Sequence, residues 1–183
     1  MTEIKVPSLC LPAGVDESKW SASRWFALYT RSRHEKAAER ELNKKGVETF
    51  LPLRRVMRQW SDRRKIVEEP LFKSYLFVKT SLSQKFGVLN TFGVVTMVHN
   101  SAEPIEVAEK DLLAVRQFVG QDIQADPFPY LKEGQRVYVR SGPMKGTEGF
   151  VVRKDNHCRL VISVHALKQS VSVMIDQACV EPF

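Results

Sequence analysis

One change of periodicity divides this chain of 183 residues. Between residues 25 and 119, runs that alternate apolar and polar side chains interleave with runs of helical spacing. Beyond residue 130 only short β-rich runs remain. A strand buries one face at a period of 2 and a helix one stripe at about 3.6, so the two regions need cores of different kinds. In the first region Trp25–Thr30, Val47–Leu51, Ser74–Lys79 and Val94–Val98 are predicted strands. His34–Lys45, Ser83–Asn90 and Asp111–Val119 are predicted helices, with Gly46 as the stop of the first. Arg54–Trp60 and Arg63–Glu68 flank Ser61-Asp62 as a hairpin. Mixed strands and helices of this length suggest a ferredoxin-like α/β sandwich. Residues 120–130, GQDIQADPFPY, read as a linker. In residues 131–183 the runs Val137–Arg140, Gly149–Val152, Arg159–Val164 and Ser170–Ile175 fit a small SH3-like β-barrel, an α+β chain overall. β-Branched residues in the last two runs favour strands over helices there. Residues 1–24 lack periodicity and read as a flexible extension.

Charge narrows the partners. Lys and Arg number 28 against 21 Asp and Glu, a net charge of +7. Residues 25–119 hold 17 basic and 11 acidic groups, residues 131–183 hold 8 and 5, and residues 1–24 balance at 3 and 3. The excess therefore sits in the two structured regions and suits a polyanion, although a solvated surface explains it equally. Residues 54–65 contain Arg54, Arg55, Arg58, Arg63, Arg64 and Lys65 against Asp62 alone, with Trp60 inside the run. Arg31, Arg33, Lys36, Arg40 and Lys44 lie near or on the first helix. Arginine forks grip phosphate and an aromatic ring stacks an unpaired base, so both stretches are candidate nucleic-acid contacts.

Other chemistries lack their residues. No apolar run reaches the length of a membrane span, and residues 1–24 have no continuous apolar core of a secretory signal. Cys10, Cys158 and Cys179 suggest no disulfide framework, and a reducing cytoplasm is the expected setting. His34, His99, His157 and His165 are scattered, and His157-Cys158 lacks a second ligand pair for zinc. The acids Glu103, Glu106, Glu109 and Asp111 read as a solvated loop and helix start. There is no phosphate-binding loop, dinucleotide fingerprint or nucleophile elbow. No catalytic residue, metal or cofactor is expected, and the chain does not read as an enzyme.

The strand alternation carries more. Tyr75 and Phe77 share one face of their strand, as do Trp25, Ala27 and Tyr29 of theirs. These aromatics are either inner packing or a docking patch. WFALYTRSRHEK, RRKIVEEPLFKSYLFVKT, GVVTMV and EGQRVYVRSGPMKGTEGFVV, in this order, resemble the NusG family of transcription elongation factors across residues 25–183. WFALYT is similar to the family's opening strand, EPLFKSYLFV to its central strand, and GPMKGTEG, with Gly142, Pro143, Gly146 and Gly149, to its KOW motif. RSRHEK, RQWSDRRK and the compact turn SGPMKG are similar to specialised paralogues of the UpxY and RfaH kind, antiterminators of long surface-polysaccharide operons. Lys73-Ser74 departs from the Pro-Gly that many members carry before the central Tyr.

The resemblance implies an NGN domain over 25–119 and a KOW domain over 131–183. It implies docking on the clamp helices of RNA polymerase through Tyr29, Tyr75, Phe77 and Val98, with Arg31 and Lys44 facing the non-template DNA strand. Such a factor bridges the polymerase cleft and disfavours the open, paused state. Through the barrel it implies ribosomal protein NusE, Rho or the NGN domain as partners, with Met144 and Leu167 as exposed apolar candidates. A general NusG factor coupling polymerase to Rho or the ribosome, and a ribosome-associated KOW RNA-binding protein, are the other readings.

Overall fold

The computed structural model describes residues 20–59, 63–101, 103–120, 125–130, 134–154 and 157–183. The proposed flexible extension lies mostly outside the described residues, as do Trp60, Ser61 and Asp62 of the expected hairpin. The chain runs β1 (Arg24–Thr30), α1 (Glu35–Lys44), β2 (Glu48–Phe50), β3 (Leu53–Gln59), β4 (Arg64–Pro70), β5 (Tyr75–Thr80), α2 (Lys85–Leu89) and β6 (Val94–Met97). It continues through β7 (His99–Asn100), β8 (Glu103–Pro104), α3 (Glu109–Gly120), β9 (Asp126–Phe128), β10 (Gln135–Val139), β11 (Glu148–Lys154), β12 (His157–Val164), β13 (Gln169–Met174) and β14 (Val180–Pro182).

The first sheet has the order β2-β5-β1-β6, with every pairing antiparallel. With α1 and α2 as crossovers this is the ferredoxin-like arrangement. The β3–β4 hairpin is an insertion that forms its own two-stranded ribbon. Alternation decides what each face of the sheet does. Phe26, Leu28, Leu76, Val78 and Met97 point to one side and meet Ala38 and Leu42 of α1 and Val88 of α2. Trp25, Ala27 and Phe77 point to the other and meet Leu112, Val115 and Phe118 of α3. Helix α1 stops where Gly46 takes φ +76°. The Gly46 N–H donates to the Asn43 carbonyl at 3.0 Å and Val47 N–H to Leu42 at 3.1 Å, the Schellman pattern that satisfies the last carbonyls.

The second sheet runs β14-β10-β11-β12-β13-β9, the SH3-like barrel of the C-terminal region. Val137, Val139, Leu160, Ile162, Val164, Val171 and Val173 are buried in it. The linker expected at 120–130 is shorter than its composition suggests. Asp126–Phe128 pairs with β13 as the sheet's outer strand. Pro127 is tolerated because an edge strand leaves one row of N–H groups unused.

The three glycines that the resemblance assigns to the KOW motif, Gly142, Gly146 and Gly149, have separate physical causes. Gly142 and Gly146 adopt φ of +84° and +89°, where a side chain is strained. Gly149 is extended, but a Cβ there would lie 2.7 Å from the Val161 carbonyl oxygen and 2.9 Å from Leu160 Cδ1. Backbone cannot yield as a side-chain tip can. Gly149→Ala is therefore expected to destabilise the barrel by about 1–3 kcal/mol, read as a lowered urea midpoint.

Candidate protein-docking and nucleic-acid interface

Strands β1 and β5 place three cross-strand pairs on the α3 side of the sheet: Trp25 with Lys79, Ala27 with Phe77, and Tyr29 with Tyr75. Helix α3 covers the first two. The Arg116 guanidinium sits 5.1 Å from the Trp25 ring and 4.9 Å from the Phe50 ring, and pairs with Glu48 at 3.7 Å. Tyr29 and Tyr75 lie at the far end of the stripe, edge to face with centroids 5.6 Å apart. Tyr29 is 43% exposed and Tyr75 half-buried. Val98 is half-buried beside the same core.

Phe77 does not share this position. It is fully buried, stacked on Phe50 at 6.1 Å and edge-on to Phe72 at 5.8 Å. Helix α3 covers the face on which it stands, so it supports the patch from beneath and offers no surface. The strand alternation located its face correctly, but a sequence does not state how far along that face a later helix extends.

The bend before Tyr75 survives without the Pro-Gly pair. Ser74 takes φ +64°, a left-handed conformation that costs an L-residue about 1–2 kcal/mol. Its N–H donates to Glu35 Oε1 at 2.8 Å, and its carbonyl accepts from Thr30 N–H at 2.9 Å. Glu35 is buried in the first turn of α1, where the helix dipole favours a carboxylate. This residue was not singled out from the sequence. An acid directly after the basic run RSRH, at a helix start, was the available signal.

The basic residues divide into two groups. On the hairpin, Arg54 lies opposite Glu69 and Arg55 opposite Glu68. Arg58 Nη2 is 2.7 Å from Glu69 and Arg55 Nε 4.0 Å from Glu68. The hydrogen bond from Arg58, with the charges of Arg58, Arg54 and Lys73, holds the Glu69 carboxyl below its ordinary range. A depressed carboxyl contributes its stabilisation above the unfolded-state value and loses it as pH falls through the folded one. Arg54 also reaches Asp126 at 3.0 Å, and Arg159 approaches Asp126 at 4.0 Å. Arg54 is thus a link between the hairpin and the barrel's edge strand. It does not stand as an open nucleic-acid contact. Arg64 donates to Gln59 at 2.9 Å, and Arg63 is exposed beside it. Met57 and Ile66, directly opposite one another, are 63% and 61% exposed.

On the α1 side, Lys44 pairs with Glu41 at 2.8 Å and Lys36 with Glu68 at 3.7 Å. Arg40 donates to the Lys36 carbonyl at 3.3 Å. Arg31 and Arg33 are exposed and make no ion pair with a described residue. They stand in the turn between β1 and α1, two and four residues after Tyr29 in the chain.

The barrel rests on α3. Thr147, in the turn between β10 and β11, hydrogen-bonds Gln117, and His165 Nδ1 lies 3.5 Å from Asp111 Oδ2. Met144 and Leu167 are 4% and 7% exposed. Both are buried in the core that α3 shares with the barrel, so neither is the exposed apolar contact expected. Tyr138, Met174 and Phe183 hold that position among the described residues. No group of three or more His, Cys, Asp or Glu among the described residues is arranged for a metal ion. No helix among them is long and apolar enough to cross a membrane.

A ferredoxin-like sandwich with an inserted hairpin, followed by a small β-barrel, is the architecture expected of NusG-like transcription factors. The model of the family described as transcription termination factor NusG matches residues 23–116, from the residue before β1 into α3, and the chain belongs to the NusG family. The transcription termination/antitermination protein NusG of Borreliella burgdorferi is 22% identical over 174 residues, covering 83% of this chain and 94% of that protein. A solved structure described as domain interaction in Thermotoga maritima NusG superposes with a TM-score of 0.54 at 18% identity, covering 87% of this chain and 97% of that one. That likeness supports the fold.

Glu35→Ala removes a charged acceptor from the backbone N–H of Ser74. A loss of about 2 kcal/mol is expected in urea unfolding. Adding Ser74→Gly should recover part of it, because glycine takes a positive φ without the steric penalty.

Proposed function

We propose that this protein is an elongation factor that binds RNA polymerase and suppresses pausing and termination, acting as a specialised antiterminator on a long surface-polysaccharide operon. The observation that carries the docking surface is the Tyr29–Tyr75 pair, with Tyr29 43% exposed at the far end of a strand face on which Trp25, Ala27 and Phe77 are buried. Such aromatic pairs serve as anchors when a partner helix buries them, each contributing roughly 1.5–3 kcal/mol. The polymerase clamp helices are the partner this reading assigns, with Val98 at the margin. Arg31 and Arg33 follow Tyr29 within four residues in the chain, so docking would bring them beside the exposed non-template strand. Lys36, Arg40 and Lys44 extend that basic edge along α1. Arg63 and Arg64, with Arg55 and Arg58 in support, give the hairpin a secondary contact. The specialised reading rests on RSRHEK, RQWSDRRK and SGPMKG. The mechanism is mechanical: a factor that favours the closed clamp lowers the population of the paused state by its differential affinity for the two. The cytoplasm is the compartment this function requires.

A general factor is the second reading, favoured by the similarity to the Borreliella protein along nearly its whole length. Its barrel would take NusE or Rho through Tyr138 and Met174. In transcription of a long template with purified polymerase, the specialised factor should increase read-through with Rho present. Enhanced Rho-dependent termination would favour the general reading instead.

Tyr29→Ala with Tyr75→Ala is expected to abolish polymerase binding with the melting transition retained. Phe77→Ala should instead cost about 3–5 kcal/mol of stability. A double tyrosine variant that binds polymerase normally would remove the patch assignment.

A further inference from the structure

We propose that the cleft between α3 and the barrel binds a zwitterionic small molecule with an apolar body, an α-amino acid with an apolar or aromatic side chain. Lys110 of the helix holds its carboxylate and Glu148 of the barrel its ammonium group. This inference does not rest on the polymerase or nucleic-acid parts of the proposed function.

The cleft has a volume of about 760 Å³, the size of small-molecule sites in general. Its first wall is one face of α3. Lys110, Leu113, Ala114 and Gln117 line it at the i, i+3, i+4, i+7 spacing of a single helical stripe. Leu112, Val115 and Phe118, on the other side of the same helix, are spent on the sheet. Leu113 is left 52% exposed. The second wall belongs to the barrel, where Phe150 of β11 is half-buried and Ile162 of β12 is buried. Two contacts tie the walls together, Thr147 with Gln117 and His165 with Asp111. The site is thereby formed before a ligand arrives, and its apolar surface has no partner among the described residues.

Charge selects the ligand. Besides His165, four ionisable groups line the cleft, two of each sign: Lys110 and Arg136, Asp111 and Glu148. Their formal charges cancel, so neither a simple anion nor a simple cation is favoured, and a ligand carrying both signs matches best. The Asp111 side chain is covered and already faces His165. Lys110 is exposed and makes no ion pair with a described residue. Glu148 and Arg136 are both exposed and stand 3.6 Å apart, too far for a direct hydrogen bond. Lys110 is thus open to a carboxylate and Glu148 to an ammonium group, with Leu113, Ala114 and Phe150 beside them for the apolar side chain.

The test titrates the full chain by calorimetry with three ligands that share one indole body: tryptophan with both charges, N-acetyltryptophan as the anion and tryptophanamide as the cation. Tryptophan should bind with a dissociation constant of about 1 mM or tighter, and each singly charged form about tenfold more weakly. Lys110→Gln should weaken tryptophan about tenfold and leave tryptophanamide unchanged. Glu148→Gln should weaken tryptophan to the same degree and leave N-acetyltryptophan unchanged. Ala114→Trp, which fills the cleft from the helix side, should abolish binding with the melting transition retained. If that variant does not fold, the two glutamine substitutions at exposed positions decide the matter alone. Tryptophan that fails to bind, equal affinity for all three ligands, or binding that neither glutamine substitution alters would each overturn the proposal.

Discussion

The packing of α3 against one end of the β1–β5 pair is the interaction on which the rest depends. Trp25, Ala27 and Phe77 meet Leu112, Val115 and Phe118 in a dry layer, and burial of such side chains is the main stabilising term available. Arg116 closes the layer by lying over both Trp25 and Phe50. Because α3 reaches only part of the sheet, it does two things at once. It completes the N-terminal core, and it leaves Tyr29 and Tyr75 as a short aromatic margin. Its opposite surface receives the barrel, so the same helix joins both domains.

Electrostatics then sorts a basic chain into paired and open charge. The hairpin looks strongly cationic in sequence, yet its register sets Glu68 and Glu69 against Arg55 and Arg54. The Arg55–Glu68 pair is solvated and contributes little to stability, while the Arg54–Glu69 pair is largely covered, and both lower the charge offered to a polyanion. The open charge collects instead at the β1–α1 turn. There the bend at Ser74, the Glu35 carboxylate and the hydrogen bond from the Arg31 N–H to the Gly93 carbonyl hold the aromatic margin and the cations in fixed relation.

The junction between the domains is mixed in character. Asp126 draws Arg54 from the hairpin and Arg159 from the barrel, while the Nε atoms of both arginines are buried without a partner among the described residues. An unmade bond at a buried donor costs free energy, so this polar clasp is less favourable than the apolar layer beneath it. The β10–β11 turn touches α3 through Thr147 and Gln117. Gly142 and Gly146 thus shape a turn that packs on the helix of the neighbouring domain.

The sequence by itself determined the order of elements, the division into a mixed domain and a barrel, and which side chains share a strand face. Those properties follow from local periodicity and turn chemistry, which each segment carries alone. The four sequence stretches quoted for the family placed it correctly as well. Tertiary structure decided how much of a face is covered, and so separated Phe77 from Tyr29 and Tyr75. It also buried Met144 and Leu167, drew Asp126–Phe128 out of the linker into a sheet, and set the hairpin arginines against glutamates. Part of that last result was readable, since counting outward from Ser61-Asp62 brings Glu68 and Glu69 opposite Arg55 and Arg54. The rest was not, because coverage, domain contact and ion pairing depend on segments far apart in the chain, and no local pattern records the distance at which two of them meet.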